Sequence, residues 1–499
     1  MEEEKLSLTR QSQILILGQA ISFAFNFLVP IIVVRFFDVA EYGVYKQLFL
    51  IIMTVAVILP FGIAESLFYF IPRNKERQQH YITQTLYFLT FSGLIFLAIM
   101  FLYGDNILSV LNLSHLHEYT YLLTFYIIFM NLSLPLERIL TSQERVKASS
   151  FVAVISELLK GICIVISTVI TSNLKIVMYS LVCFSFLRII GFFYFLISRN
   201  LIFFSIKKFD TQKIREQARY SFPFGLAVVV ATIRRFFHQY FISFLFAPKD
   251  FAIYAVGSFQ LPLMNVIYAT VSSVILIRAS EYHQEKKIDK ILEVWLSSSR
   301  KLALIYFPVT FLFILSSKEF IPIIFTSQYL SSIPFFIVTL LQLPVDVFVT
   351  HSILKAYAKN TYILQLNIIS LILTAILVYI LTYKFGMIGA IIGTTVSYTV
   401  VRALEVVIIK RLTGVNWNRF IPWKIFLRII SICSLCAVAV IFIKNINLSS
   451  SAFGVFIMES GLFSLLYVLM IYFSGVLSKS EKEDFKKIIY KFKPALFLR

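Results

Sequence analysis

The chain has 499 residues, 59% of them hydrophobic and only 14% charged, with 52 Phe and a formal net charge of +20. A soluble domain carries about a quarter charged residues, and no core of this size hides so much apolar surface, so lipid must cover it. The positive charge would suggest a nucleic-acid partner in a soluble protein. Here it sits in the loops between apolar runs, and no nucleic acid is expected as partner.

The first ten residues are polar and lead straight into an apolar run, without the short apolar region and small-residue cleavage site of a signal peptide. The first helix is therefore expected to act as an uncleaved anchor. A bilayer-spanning helix needs roughly 20 mostly apolar residues. Such runs fall near 12–35, 45–71, 82–103, 119–138, 148–171, 176–198, 220–246, 252–277, 300–317, 331–355, 361–383, 386–408, 424–443 and 452–475. Pro135 and Pro308 interrupt the fourth and ninth, which membrane helices tolerate when neighbours satisfy the freed carbonyls. The expected fold is all-α, a polytopic membrane protein of about fourteen transmembrane helices.

Loop charges alternate. Arg73, Lys75 and Arg77 fall on one side, followed there by Arg145 and Lys147, by Lys207 to Arg219, by Arg278 to Lys301, by Lys355 and Lys359, and by Lys410 to Arg419. The opposite loops are short and hold about one lysine each (Lys175, Lys249, Lys318, Lys384, Lys444) or none. Cytoplasmic loops carry the excess of Lys and Arg, so the basic side and both termini are expected in the cytoplasm of a bacterial plasma membrane. The tail after 479 mixes lysines with Phe485, Ile488, Ile489 and Phe492. It reads as an amphipathic helix on an anionic leaflet or as a solvated tail.

Cys433 and Cys436 form a C-x-x-C inside an apolar run. With no second ligand pair, small apolar side chains explain them better than zinc or redox chemistry. The turn Phe36-Phe37-Asp38-Val39-Ala40-Glu41-Tyr42-Gly43-Val44-Tyr45 has a counterpart in Leu245-Phe246-Ala247-Pro248-Lys249-Asp250-Phe251-Ala252-Ile253-Tyr254. The offset of about 209 residues spans six helices, an even number, so the repeat is parallel. The expected organisation is an N-lobe (1–205), a C-lobe (206–412), a helix pair (413–478) and a basic cytoplasmic tail (479–499).

With this repeat, the turn Arg35 to Tyr45, Phe61-Gly62-Ile63-Ala64, Ile71-Pro72-Arg73 and Phe385-Gly386-Met387-Ile388-Gly389-Ala390 resemble the polysaccharide transporter branch of the multidrug/oligosaccharidyl-lipid/polysaccharide exporter superfamily. That branch contains the O-antigen and capsule-unit flippases. The resemblance implies two six-helix lobes in a V around a central cavity, alternating access, and an undecaprenyl-diphosphate-linked oligosaccharide as cargo. It also implies a lipid-tail groove at the last two helices, and a polymerase and glycosyltransferases as pathway partners. Two sister groups are the alternatives. Lipid II flippases place an Arg on a first helix that here shows Gln19, Ser22 and Asn26, and drug/cation antiporters usually have twelve helices. A membrane glycan polymerase or ligase is the alternative of another class, disfavoured by the short outer loops. No catalytic constellation and no P-loop is present, so the protein is expected not to be an enzyme and to need no cofactor, beyond Na⁺ or proton coupling.

Ionisable residues inside membrane spans are costly and mark functional sites. Arg234 and Arg235 lie near the middle of the seventh run, with His238 and Gln239 one turn on. Guanidinium forks bind phosphate bidentately, so these four residues, with Arg188 in the sixth run, are the expected substrate contacts. The other reading of the arginines is structural pairing with carboxylates. Glu157 with Lys160 and Arg402 with Glu405 have i,i+3 spacing and read as self-neutralised pairs. Asp346 lacks a basic neighbour at helical spacing and, with Glu65, is the expected carrier of a coupling ion. Glu459 finds no partner in the sequence pattern.

Overall fold

Apolar segments in lipid must satisfy every backbone polar group internally, and helices do this within one segment. The computed structural model describes residues 18, 21–22, 25–203, 211–446, 451–477 and 481–483, and over these the protein is all-α with no strand. Thirteen helical stretches among the described residues are long and apolar enough to cross a membrane. Each overlaps one of the second to fourteenth runs expected from the sequence, and the eighth, read as continuous over 252–277, is interrupted between Gly257 and Pro262. The first run enters the described residues in part, as α1 (25–33). Gln19 and the amphipathic stretch expected at 485–492 lie outside the described residues.

The chain divides into two compact units, Met1–Val256 with Asn367–Thr394, and Gly257–Leu366 with Thr395–Arg499. The first contains α2 (Val39–Ile58), α3 (Leu67–Arg73), α4 (Gln78–Val110), α5 (Thr120–Ser133), α6 (Pro135–Ser142), α7 (Val146–Thr171), α8 (Leu174–Ser198), α9 (Thr211–Leu245) and nearly all of α10 (Pro248–Gly257). Asp38 starts α2 by accepting a hydrogen bond from the Glu41 amide at 2.8 Å. The Glu41 carboxylate in turn accepts from the Leu174 amide at 3.1 Å, tying the repeated turn to the start of α8.

Two expected spans of this unit are broken. The second, read as continuous over 45–71, unwinds between α2 and α3, where Pro60 is followed by Phe61 and Gly62 with φ of 45° and 76°. The fourth breaks at Leu134, and Pro135 opens α6 at a position that needs no amide hydrogen. Around the first break, Leu67, Phe70, Ile71, Tyr81, Ile82, Phe192 and Leu196 form a buried cluster.

The helices α2 and α9 run against each other with backbone-close contacts near both ends. A Cβ on Gly43 would lie 1.9 Å from the Pro248 carbonyl oxygen, and one on Gly225 would lie 2.3 Å from that of Phe61. The two copies of the repeated turn thus meet at Gly43 and Pro248. Between these ends, Gln47 donates to the Ser243 hydroxyl at 3.0 Å. Gly43→Val should lower thermal stability in detergent by the ~1–3 kcal/mol typical of overpacking. Gly191→Ala on α8, where a Cβ meets nothing within 4 Å, should leave it unchanged or raise it.

The second unit contains α11 (Pro262–Gln284), α12 (Ile288–Leu315), α13 (Ser317–Phe325), α14 (Ile333–Leu340), α15 (Thr350–Ala356), α18 (Trp417–Phe420), α19 (Trp423–Ile446) and α20 (Ala452–Phe473). To it also belong the first residues of α16 (Asn360–Phe385) and the latter part of α17 (Met387–Thr413). Trp295 anchors its core, stacking on Phe420 at 5.2 Å and donating to the Phe420 carbonyl at 3.0 Å. Pro308, unlike Pro135, stays inside an unbroken α12 and is buried. The tenth span, read as continuous over 331–355, breaks instead between α14 and α15, where Pro344 precedes a single 3-10 turn, Val345–Val347. Cys433 and Cys436 are buried in α19 among apolar side chains, with the Cys436 sulfur 3.7 Å from that of Met470.

Candidate functional site: charge networks at broken helices

The helix breaks at 59–66, 134 and 341–349 each lie at or beside a carboxylate, and each of these carboxylates is paired with a cation. In the first unit Glu65 lies in the unwound stretch between α2 and α3. Arg138 of α6 donates to it at 3.4 Å and to the adjacent Glu137 at 3.4 Å. Glu137 also accepts from Arg188 of α8 at 3.0 Å. On α7, Glu157 pairs with Lys160 as the spacing predicted, and accepts from the Asn26 amide at 2.9 Å. Three carboxylates therefore face three cations. Charges withdrawn from water persist when paired and hydrogen-bonded in this way.

In the second unit Asp346 occupies the 3-10 turn. It accepts from the Tyr398 hydroxyl, and from Arg402 of α17 at 3.4 Å. Arg402 also pairs with Glu405 at 3.1 Å, the i,i+3 pair expected from the sequence. Glu405 is closed in by the Thr350 hydroxyl and by His351 Nε2 at 2.9 Å. Arg402 and Glu405 are only 6% and 3% exposed. Two carboxylates here face one arginine and one histidine, so the cluster holds one negative charge in excess while His351 is neutral.

The two networks are versions of one device. Leu134-Pro135-Leu136-Glu137 and Leu343-Pro344-Val345-Asp346 stand at the same offset of about 209 residues as the repeated turn. In each half a proline breaks the fourth helix two residues before a carboxylate, and the carboxylate pairs with an arginine of the sixth. Sequence reasoning missed Glu137 and Arg138 because they fell at the edge of an apolar run. The repeat offset itself was the signal that finds them.

The remaining expected site residues are distributed as follows. Arg188 and Glu65 belong to the first network. Asp346, which has no basic neighbour along its own helix, has Arg402 across from it. On α9, Arg234 is half-buried and Arg235 exposed, and Gln239 is half-buried. His238 differs from them: it is buried, and its Nδ1 lies 2.6 Å from the Tyr254 hydroxyl of α10. It is thus tied into helix packing, one turn from the arginines. Glu459, fully buried on α20, pairs with Lys444 at 2.6 Å, which also holds Glu319 of α13 at 2.7 Å. No group of three or more His, Cys, Asp or Glu suited to a metal ion occurs among the described residues.

Bilayer-length helices, broken at carboxylates that are matched by arginines from neighbouring spans, define a multi-pass membrane protein with polar sites inside its spans. The chain belongs to the polysaccharide biosynthesis protein family, whose profile matches residues 32–334. Its fold is that of the MOP superfamily, as the sequence resemblance implied. It is similar to the lipid II flippase MurJ in an inward closed conformation, with a TM-score of 0.72 at 15% identity, over 93% of this chain and 99% of that one. It is similar to an inward-facing multidrug resistance MATE family transporter of the MOP superfamily, with a TM-score of 0.62 at 15% identity, over 79% and 94% of the two chains. A MOP superfamily transporter from Pyrococcus furiosus gives 0.55 at 16% identity, over 81% and 95%. A comparison with curated proteins finds no match.

Proposed function

We propose that the protein is a flippase that moves an undecaprenyl-diphosphate-linked oligosaccharide unit across a bacterial plasma membrane for surface polysaccharide synthesis. The observation that carries this reading is the joining of a polysaccharide-biosynthesis chain to the fold of a lipid-carrier flippase. In this reading the lobes 1–205 and 206–412 alternate in exposing a cavity, and Arg234 and Arg235 receive the diphosphate as paired guanidinium forks. Gln239 assists them, while His238 sets the orientation of that stretch of α9 through Tyr254. The polyprenyl chain stays in lipid beside the last two spans. The alternation of loop charge supports cytoplasmic termini. Coupling to Na⁺ or protons falls to Asp346 and its neighbours, whose excess negative charge a monovalent cation or a proton would cancel. Arg188 and Glu65 serve by holding the first network together.

The test is what accumulates when the gene is deleted. Single lipid-linked units trapped on the cytoplasmic leaflet are the expected result. Units reaching the outer leaflet without being polymerised would indicate a missing polymerase and overturn the reading. Accumulated lipid II would replace the cargo.

A further inference from the structure

Beside the unwound stretch of the second span, the first unit has a cleft of about 330 Å³ between that stretch, α4 and α9. Its walls include Phe61, Phe88, Phe91, Ile214, Ala218 and Phe222, and Phe91 and Phe222 are 64% and 61% exposed. Gln217 lies in its floor but is spent: its amide donates to the Ser66 hydroxyl at 2.8 Å and to the Thr85 hydroxyl at 2.9 Å. Gln84, Tyr87 and Ser221 also line the cleft, but most of the surface it offers a ligand is hydrocarbon.

One end of the cleft is strongly basic. The α9 positions that line it, Ile214, Ala218 and Phe222, recur every four residues, and Arg215 and Arg219 follow the first two on the same turns, both exposed. Arg73 reaches that end from α3. Its guanidinium lies 3.6 Å above the Tyr69 ring, which stacks on Tyr220 at 4.5 Å. Lys75 and Arg77 follow in the next turn. The acidic residues nearby are Glu76 and Glu216, and Glu216 accepts from the Tyr81 hydroxyl at 3.5 Å. Positive charge dominates the rim.

We propose that this cleft binds an anionic phospholipid of the surrounding bilayer, with an acyl chain between α4 and α9 and the phosphate at Arg73, Arg215 and Arg219. The apolar walls disfavour a water-soluble anion, and the basic rim selects against a neutral headgroup. At a volume share of about 30 Å³ per small group, the slot holds roughly ten methylenes. That suits a stretch of one acyl chain. This inference is independent of what the protein transports.

The experiment uses the full-length protein in phosphatidylcholine vesicles containing a phosphatidylglycerol with a photoactivatable acyl chain. Cross-links are expected in peptides covering 84–91 and 214–222, competed by unlabelled phosphatidylglycerol and not by extra phosphatidylcholine. Arg215→Gln and Arg219→Gln should each weaken the labelling about fivefold, the effect of removing one basic group near an anionic surface. Ala218→Phe should fill the slot and abolish it. Should Ala218→Phe fail to fold, the two arginine variants carry the test. Equal competition by phosphatidylcholine would reduce the cleft to ordinary lipid contact. Competition by undecaprenyl phosphate alone would assign it to a polyprenyl carrier. Either result, or the absence of labelling at these segments, overturns the proposal.

Discussion

Replacing Arg234 and Arg235 together by alanine is expected to abolish glycan export while leaving the protein in the membrane at normal amount. Both side chains retain access to the surface of α9, so truncating them opens no core cavity. A doubly charged diphosphate in a site shielded from water depends on cations that reach it directly. Losing two charge-assisted, bidentate contacts costs about 1.5–3 kcal/mol each, or a combined loss of two to four orders of magnitude in binding. Export of surface glycan in a complemented deletion strain, with membrane content read by immunoblot, is the measurement. Export at the normal level would remove the phosphate-clamp role from these residues. A double change to lysine should recover only part of the activity, since ammonium groups keep the charge and lose the fork.

The second large effect is structural. Arg402→Met should destabilise the protein by about 3–5 kcal/mol, because it leaves the buried Glu405 and the half-buried Asp346 without their shared cation. The equivalent change in the first repeat, Arg188→Met, should cost only about 1.5–3 kcal/mol, because Glu137 keeps Arg138. Thermal melting of the detergent-purified variants separates the two. Adding Asp346→Asn and Glu405→Gln to Arg402→Met should restore most of the loss, since the cost lies in the uncompensated charge. If the two arginine variants melt together, the inequality of the networks has no energetic meaning.

The spans themselves were legible in the sequence because one property, an apolar run of bilayer length, decides them, and all thirteen in the described residues overlap an expected run, though the ends of several are displaced. Helix interruption was less legible. Pro135 and Pro308 carry the same local signal, yet the chain breaks at the first and continues through the second. The difference is that the carbonyl freed at a proline can be satisfied by neighbours that only the packed structure supplies. The breaks at 59–66 and 341–349 were read as continuous helix because apolar composition runs straight through them. The pairs Glu157–Lys160 and Arg402–Glu405 were visible because both members sit on one helix. Glu65–Arg138, Glu137–Arg188 and Asp346–Arg402 were not, because 50 or more residues separate the partners and sequence spacing says nothing about facing helices. Glu459 lacked an explanation for the same reason until Lys444 came across from α19.

The unequal charge count of the two networks has an electrical consequence. Charges that sum to zero feel no net force in a uniform field, so shifting the Glu65–Glu137–Arg138–Arg188 network as a body does no work against the membrane voltage. Shifting the Asp346–Arg402–Glu405 network, with His351 neutral, does. A charge carried through the full field exchanges about 2.3 kcal/mol with each 100 mV. Any rearrangement that shifts the second network along the membrane normal is therefore biased by voltage in proportion to the fraction of the field it traverses. Protonating His351 switches that bias off. Two halves built on the same proline, carboxylate and arginine thus differ in net charge, and only a shift of the second would exchange work with the membrane voltage.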